Sequence, residues 1–114
     1  MPLPYEGILE SFKEIPGYKA AAIFNANGEE LGFHALKDRE KLEKYFLQMT
    51  SLFVAGDKAA EKTGAGGMDF IQTDSELGKF LARRGEKFIA MLMLEEDGNI
   101  ALAKQALEEA AAKL

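Results

Sequence analysis

Three observations predict an α+β chain whose elements run α-β-β-α-β-β-β-α. The middle of the chain keeps a three-to-four-residue apolar spacing over some two dozen residues, an Asn-Gly hairpin signal precedes it, and three short alternating runs follow it. The last of these runs, residues 87–94, is apolar on both of its faces, which places it at the centre of a sheet covered on both sides.

Tyr5, Ile8, Leu9, Phe12 and Ile15 form one apolar stripe and predict a short first helix, ended by Pro16-Gly17 because the residue before a proline leaves helical space. Strands are expected at Tyr18 to Asn25 and at residues 29–35. The turn Asn25-Ala26-Asn27-Gly28 joins them, with Asn27-Gly28 suited to the positive φ of a tight hairpin. Asp38 is the expected N-cap of a long helix running to Lys62, roughly 36–39 Å in length at 1.5 Å per residue. Lys41 stands where a capping box needs Glu or Gln. Its expected core stripe is Leu42, Tyr45, Phe46, Met49, Leu52, Phe53, Gly56 and Ala60, whose small residues come last and let that half approach its support more closely. Gly64 is placed to end the helix as its C′ residue.

Strands are then expected at residues 68–73, 77–84 and 87–94, with turns at Asp74-Ser75 and Gly85-Glu86. In the last strand Phe88, Ala90, Leu92 and Leu94 point one way and Ile89, Met91 and Met93 the other. Asp97-Gly98-Asn99 forms a turn and cap, and a closing helix aligns Ile100, Ala103, Leu107, Ala110 and Leu114.

Composition removes chemistries more than it names one. The 114 residues fit a single domain, 1–114, burying about two thirds of its unfolded surface. There is no cysteine, hence no disulfide framework and no thiolate metal site. One histidine leaves no multi-histidine centre and argues against a Ser-His-Asp triad. A net charge of −5 and three arginines, Arg39, Arg83 and Arg84, give no basic face for nucleic acid. The N-terminus lacks the basic start and apolar run of a signal peptide, and the strongest apolar run falls far short of the ~20 residues of a membrane span. A cytoplasmic protein without membrane insertion is expected.

Candidate chemical motifs have structural readings that fit better. Gly64-Ala65-Gly66-Gly67 follows a helix and meets its carbonyl end, the wrong polarity for a phosphate cradle. His34 is expected on the same strand face as Gly32, opposite Leu31, Phe33 and Ala35, with no nucleophile or carboxylate set beside it by sequence. Glu95-Glu96-Asp97 lies in a strand exit where adjacent acids point apart, and Arg83 and Arg84 point to opposite faces as edge charges. No catalytic, cofactor or metal residue is assigned.

One feature asks for a partner. Leu47 and Val54 lie seven residues apart on the long helix and roughly 130–150° from its core stripe, bordered by Thr50 and Ser51. Leaving the two wet forgoes about 1.5–3 kcal/mol each relative to full burial. Self-association through this seam is the simplest way to cover it, and a two-fold axis is the simplest closed arrangement. The second strand, carrying Leu31 and Phe33, is expected as a sheet edge that pairs with its own copy. The predicted dimer interface is therefore Leu31, Phe33, Leu47, Thr50, Ser51 and Val54.

The order of elements, with Leu9 through Ile15-Pro16-Gly17-Tyr18 leading into Ala20-Ala21-Ala22-Ile23-Phe24, then Asn27-Gly28, the long helix and the glycine break before three strands, resembles the roadblock family, named for a dynein light chain. The turn departs from that family's usual pattern, with Asn27-Gly28-Glu29 in place of an acid before the glycine and an apolar residue after it, and Tyr45-Phe46 is bulkier than the usual alanine-rich helix. The resemblance implies a three-layer α/β/α arrangement, roadblock/profilin-like, with a five-stranded antiparallel sheet, the long helix on one face and the terminal helices on the other. It also implies a homodimer joining second strands and long helices, and a non-enzymatic platform for a Ras-like small GTPase. The alternatives are a scaffold subunit of a larger assembly and, from another class, a small-molecule sensor or enzyme with a polar pocket near His34 or Asp69.

Overall fold

The computed structural model of the chain describes residues 4–113. Its elements are α1 (Pro4–Phe12), β1 (Tyr18–Asn25), β2 (Glu30–Ala35), α2 (Arg39–Lys62), β3 (Phe70–Ser75), β4 (Gly78–Arg84), β5 (Phe88–Leu94) and α3 (Ile100–Lys113). All strand pairs are antiparallel, and the sheet runs β2-β1-β5-β4-β3. The strand with two apolar faces is thus the central one, and β2 and β3 are the two edges.

Alternation along the strands sends residues into two cores. Tyr18, Ala21, Ile23, Leu81, Ala90, Leu92 and Leu94 pack with Ile8, Leu9 and Phe12 of α1 and Ala103, Leu107 and Ala110 of α3. Ala20, Ala22, Phe24, Phe80, Ala82, Ile89, Met91 and Met93 pack under Leu42, Phe46 and Phe53 of α2. The alanines of β1 leave height that aromatic rings fill, and Phe46 meets Phe80 edge-on at 5.3 Å and Phe33 at 5.5 Å. The two layers are those implied by the resemblance. Leu114, aligned with the α3 stripe in sequence, lies outside the described residues.

The helix ends show which local signals act. Gly64 at φ +80° closes α2 in a Schellman arrangement, its N–H donating to the Glu61 carbonyl at 3.1 Å and that of Ala65 to Ala60 at 2.9 Å. Asn99 caps α3, its Oδ1 accepting from the Leu102 N–H at 3.0 Å. Asp38 does not cap α2 with its side chain: it sits at φ 54°, in the left-handed region, and makes no side-chain cap bond. Only its carbonyl enters the helix, accepting from the Leu42 N–H at 3.0 Å. Gly17, at φ +88°, lies so close to Gly98 that a Cβ would overlap that residue's backbone, and this contact seats the α3 entry turn on the α1 exit.

Three expectations are corrected. β3 begins at Phe70 and continues through Asp74 and Ser75, with the turn following it, because Met68 is withdrawn to cover Gly56 of α2, where a Cβ would lie 2.8 Å from its terminal methyl. Leu52 is not core but 51% exposed, whereas Thr50 is buried. The buried face of α2 is therefore centred on Phe46, Thr50 and Phe53, rotated away from Leu52.

Candidate self-association surface

The surface is built from the β2 edge and the flank of α2 beside it. Arg39 stacks over the Phe33 ring at 5.1 Å, Phe46 meets the same ring, and Gly28 of the β1–β2 turn approaches Thr50. Tyr45, on the other side of the helix, reaches Phe80 and Thr73, and Gly56 takes Met68. The side of α2 that carries Arg39 and Thr50 therefore overlies β2. Leu47, 49% exposed, the exposed Ser51 and the half-buried Val54 continue around the helix on that same side. Asn27, Gly28, Ser51, Val54, Ala55 and Lys58 enclose a shallow depression of about 360 Å³ there.

Thr50 does not stand with them. It is 2% exposed, its Oγ1 donating to the Phe46 carbonyl at 2.8 Å and lying 3.5 Å from Met91 Sδ of β5, so its hydroxyl is satisfied beneath the helix while its methyl turns toward Gly28. The exposed seam of α2 reduces to Leu47, Ser51 and Val54.

Leu31 and Phe33 do not share a face. Ile23 pairs with Gly32 but Phe24 with Glu30, so Leu31 is the extra residue of a β-bulge and swings to the α1/α3 layer. Phe33 points to the α2 layer, where its half-buried ring is held by Phe46 and Arg39. These residues offer a partner mainly their backbone, since β2 is bonded only to β1 among the described residues.

His34 is half-buried at this edge. Its Nδ1 shares a 2.7 Å hydrogen bond with Tyr18 Oη, and the rings stack at 5.7 Å. Desolvation, reinforced by the Lys13 ammonium, holds the imidazole below its ordinary value, with Glu10 acting in the opposite sense. Burial also raises the Tyr18 phenol. Glu6, Glu10, Lys13 and Phe33 line an open hollow beside His34.

Asp69, the other residue suggested for a polar pocket, belongs to an ion cluster. Arg84 reaches Asp57 of α2 at 2.6 Å and Asp69 at 3.4 Å, and Asp57 also accepts the Met68 N–H at 2.7 Å. Arg84 is thus a latch between sheet, helix and the loop entering β3, not a free edge charge. An open groove beside it is lined by Arg83, Glu86 and Glu108 among others. Among the described residues no group of three or more His, Asp or Glu is placed to hold a metal ion, and no helix is long and apolar enough to cross a membrane.

No protein-family profile matches the chain, and no curated protein matches it by sequence. Solved structures do. It superposes on an MglB described in a tetrameric arrangement with a TM-score of 0.82, at 19% identity, covering 100% of this chain and 89% of that one. The gliding protein MglB of Thermus thermophilus gives 0.80 at 17% identity over 97% and 87%. A Roadblock/LC7 domain from Streptomyces avermitilis gives 0.77 at 12% identity over 99% and 94%. The chain has the roadblock fold. The roadblock likeness read from the order of elements is thereby matched by whole-chain superposition.

Proposed function

We propose that the chain is a non-enzymatic, cytoplasmic homodimeric platform that binds a Ras-like small GTPase. The observation that carries this reading is that an unpaired sheet edge, β2, and an apolar helix flank, Leu47 with Val54, open on the same side of the molecule. A two-fold axis normal to the sheet satisfies both at once: it joins two five-stranded sheets and lays two α2 helices side by side. The structural likeness to MglB and to a Roadblock/LC7 domain supports the same reading. The dimer's two-helix face gives a protein partner a broad, rigid surface, and platform work needs no reacting group.

Light scattering tests the assembly: at micromolar concentration the species should have twice the mass of one 12.5 kDa chain. Immobilised dimer should then retain a Ras-like GTPase from the source cell in one nucleotide state, GDP- or GTP-analogue-loaded, over the other. A monomer under these conditions, or equal failure with both states, refutes the proposal.

A further inference from the structure

Among the described residues five lysines and arginines are half-buried, and four of them are engaged. Lys13 holds Glu10, Lys79 holds Asp74 and Glu96, Arg84 holds Asp57 and Asp69, and Lys19 donates to the Leu77 carbonyl. Arg83 is the fifth. Its guanidinium has no ion pair among the described residues, although partial desolvation makes an unanswered cation costly. It stands opposite Phe70 in the β3–β4 pairing and points to the α3 side of the sheet, where it shares a hollow of about 220 Å³ with Phe70, Lys104 and Glu108. Lys104, exposed and also without an ion pair among the described residues, lies over the Phe70 ring at 5.6 Å. Glu108 borders the hollow but stands outside ion-pair distance of either cation.

Arg83 and Glu108 also line a larger groove, of about 810 Å³, that continues past the β4–β5 turn and the end of α3 as far as Ala26. Gly85 packs so closely on α3 that a Cβ there would lie 3.0 Å from the Ala111 carbonyl oxygen. Ala111 and Ala112 present only methyl groups to the groove, so a backbone can approach along it.

We propose that this groove docks an extended acidic segment of a protein partner, one Asp or Glu side chain entering between Arg83 and Lys104 with its carboxylate on the Arg83 guanidinium and its methylenes against Phe70. The inference goes beyond the homodimer reading and is independent of it. Phe70 packs with the α1/α3 core, whereas Leu47 and Val54 lie on α2, across the sheet.

Charge and shape select this occupant. A carboxylate matches the planar fork of a guanidinium and takes two parallel hydrogen bonds from it. Nucleic acid would meet Asp69, Glu86 and Glu108 around the groove, in a chain of net charge −5. A free phosphate would find two side-chain cations but no helix N-terminus, since α3 presents its carbonyl end here. A peptide with one acid among small or apolar residues meets the cation pair at one point and the small-residue floor along the rest.

The test titrates the isotope-labelled full chain, by NMR, with a short synthetic peptide of Gly and Ser around a central Leu-Glu-Leu. The comparison ligands are the same peptide with Gln for Glu, inorganic phosphate and a single-stranded oligodeoxynucleotide. The Glu peptide should bind with a dissociation constant on the order of 0.1–1 mM and shift the amides of Phe70, Arg83, Gly85 and Ala111, leaving Phe46 and Leu47 in place. Arg83→Gln should weaken it about tenfold, and Glu108→Gln, which removes the nearest acid, should tighten it about two- to threefold. Both variants should keep the parent melting temperature within about 2 °C, because neither removes an ion pair. No binding of either peptide, equal binding of the Gln peptide, tighter binding of phosphate or the oligonucleotide, or shifts confined to other surfaces overturns the proposal. So does a comparable fall in melting temperature in both variants, which would make Glu108 the structural partner of Arg83. A monomeric chain that binds the Glu peptide in this way supports the groove and overturns the homodimer reading alone.

Discussion

Replacing Leu47 with alanine separates self-association from folding, because half of that side chain is spent on its own subunit and half on water. Full burial of a leucine is worth about 1.5–3 kcal/mol, so covering the 49% left exposed is worth roughly 0.7–1.5 kcal/mol in each protomer. Both copies lose it in a symmetric dimer, which makes about 1.5–3 kcal/mol per dimer and roughly a ten- to hundredfold rise in the dissociation constant. The assay is sedimentation equilibrium over nanomolar to high-micromolar concentrations, with thermal unfolding of dilute monomer as the folding control. Thr50→Val is the matched comparison. Its side chain is buried beneath its own helix and bonds only within its subunit, so the change costs about 1 kcal/mol of fold stability or less and leaves association within a factor of two or three. An unchanged dissociation constant for Leu47→Ala, or a larger change for Thr50→Val, refutes the assignment of faces on α2.

Three further outcomes follow from particular contacts. His34 should titrate below its ordinary 6.5, since desolvation and then Lys13 disfavour its charged form; being depressed in the folded state, it contributes stability above about pH 6.5 that is lost as pH falls through the folded value, and Lys13→Gln should move the imidazole resonance midpoint upward in a pH-resolved NMR titration. Arg84→Met removes the cation between Asp57 and Asp69, costs about 1 kcal/mol, and should speed amide exchange at Met68 more than at Leu92. Gly17→Ala combines about 1–2 kcal/mol for the left-handed backbone with an overlap on Gly98, so the melting temperature should fall by about 10 °C or more, whereas Gly7→Ala, with open space around it, should be neutral or slightly stabilising.

What the sequence made legible was whatever period and turn chemistry control directly. The two faces of β5, the bounds of β1, the end of α2 at Gly64 and the cap at Asn99 each follow from a few adjacent residues. What escaped it depends on residues far apart. Leu31, Phe33 and Ala35 alternate without fault, so nothing in the strand announces that Leu31 is a bulge; the bulge exists because Phe24 pairs with Glu30 and Ile23 with Gly32. Ranking residues by hydrophobicity set the buried face of α2 toward Leu52. The actual face is turned toward Thr50, whose hydroxyl can be buried at little cost because it bonds the Phe46 carbonyl. Arg84 reads as an edge charge until topology brings it to Asp57 across 27 residues of chain. Leu47 was legible as an exposed apolar side chain because it lies clear of either placement of the core, whereas Val54, half-buried, sits closer to the actual one.

Both edges of the sheet have an apolar residue on the adjoining side of α2, Leu47 by β2 and Leu52 by β3, so exposure alone does not choose between them. Charge order does. β3 carries Asp74 and is flanked by Asp69 and Glu76, and although Arg84 and Lys79 already hold Asp69 and Asp74, pairing it antiparallel with its own copy would bring acid toward acid. β2 begins at Glu29-Glu30 and leads out through Lys37, so the same operation sets its acidic start against the basic exit of the other copy. On the proposed homodimer reading, β2 is therefore the edge whose charge order suits pairing with its own copy.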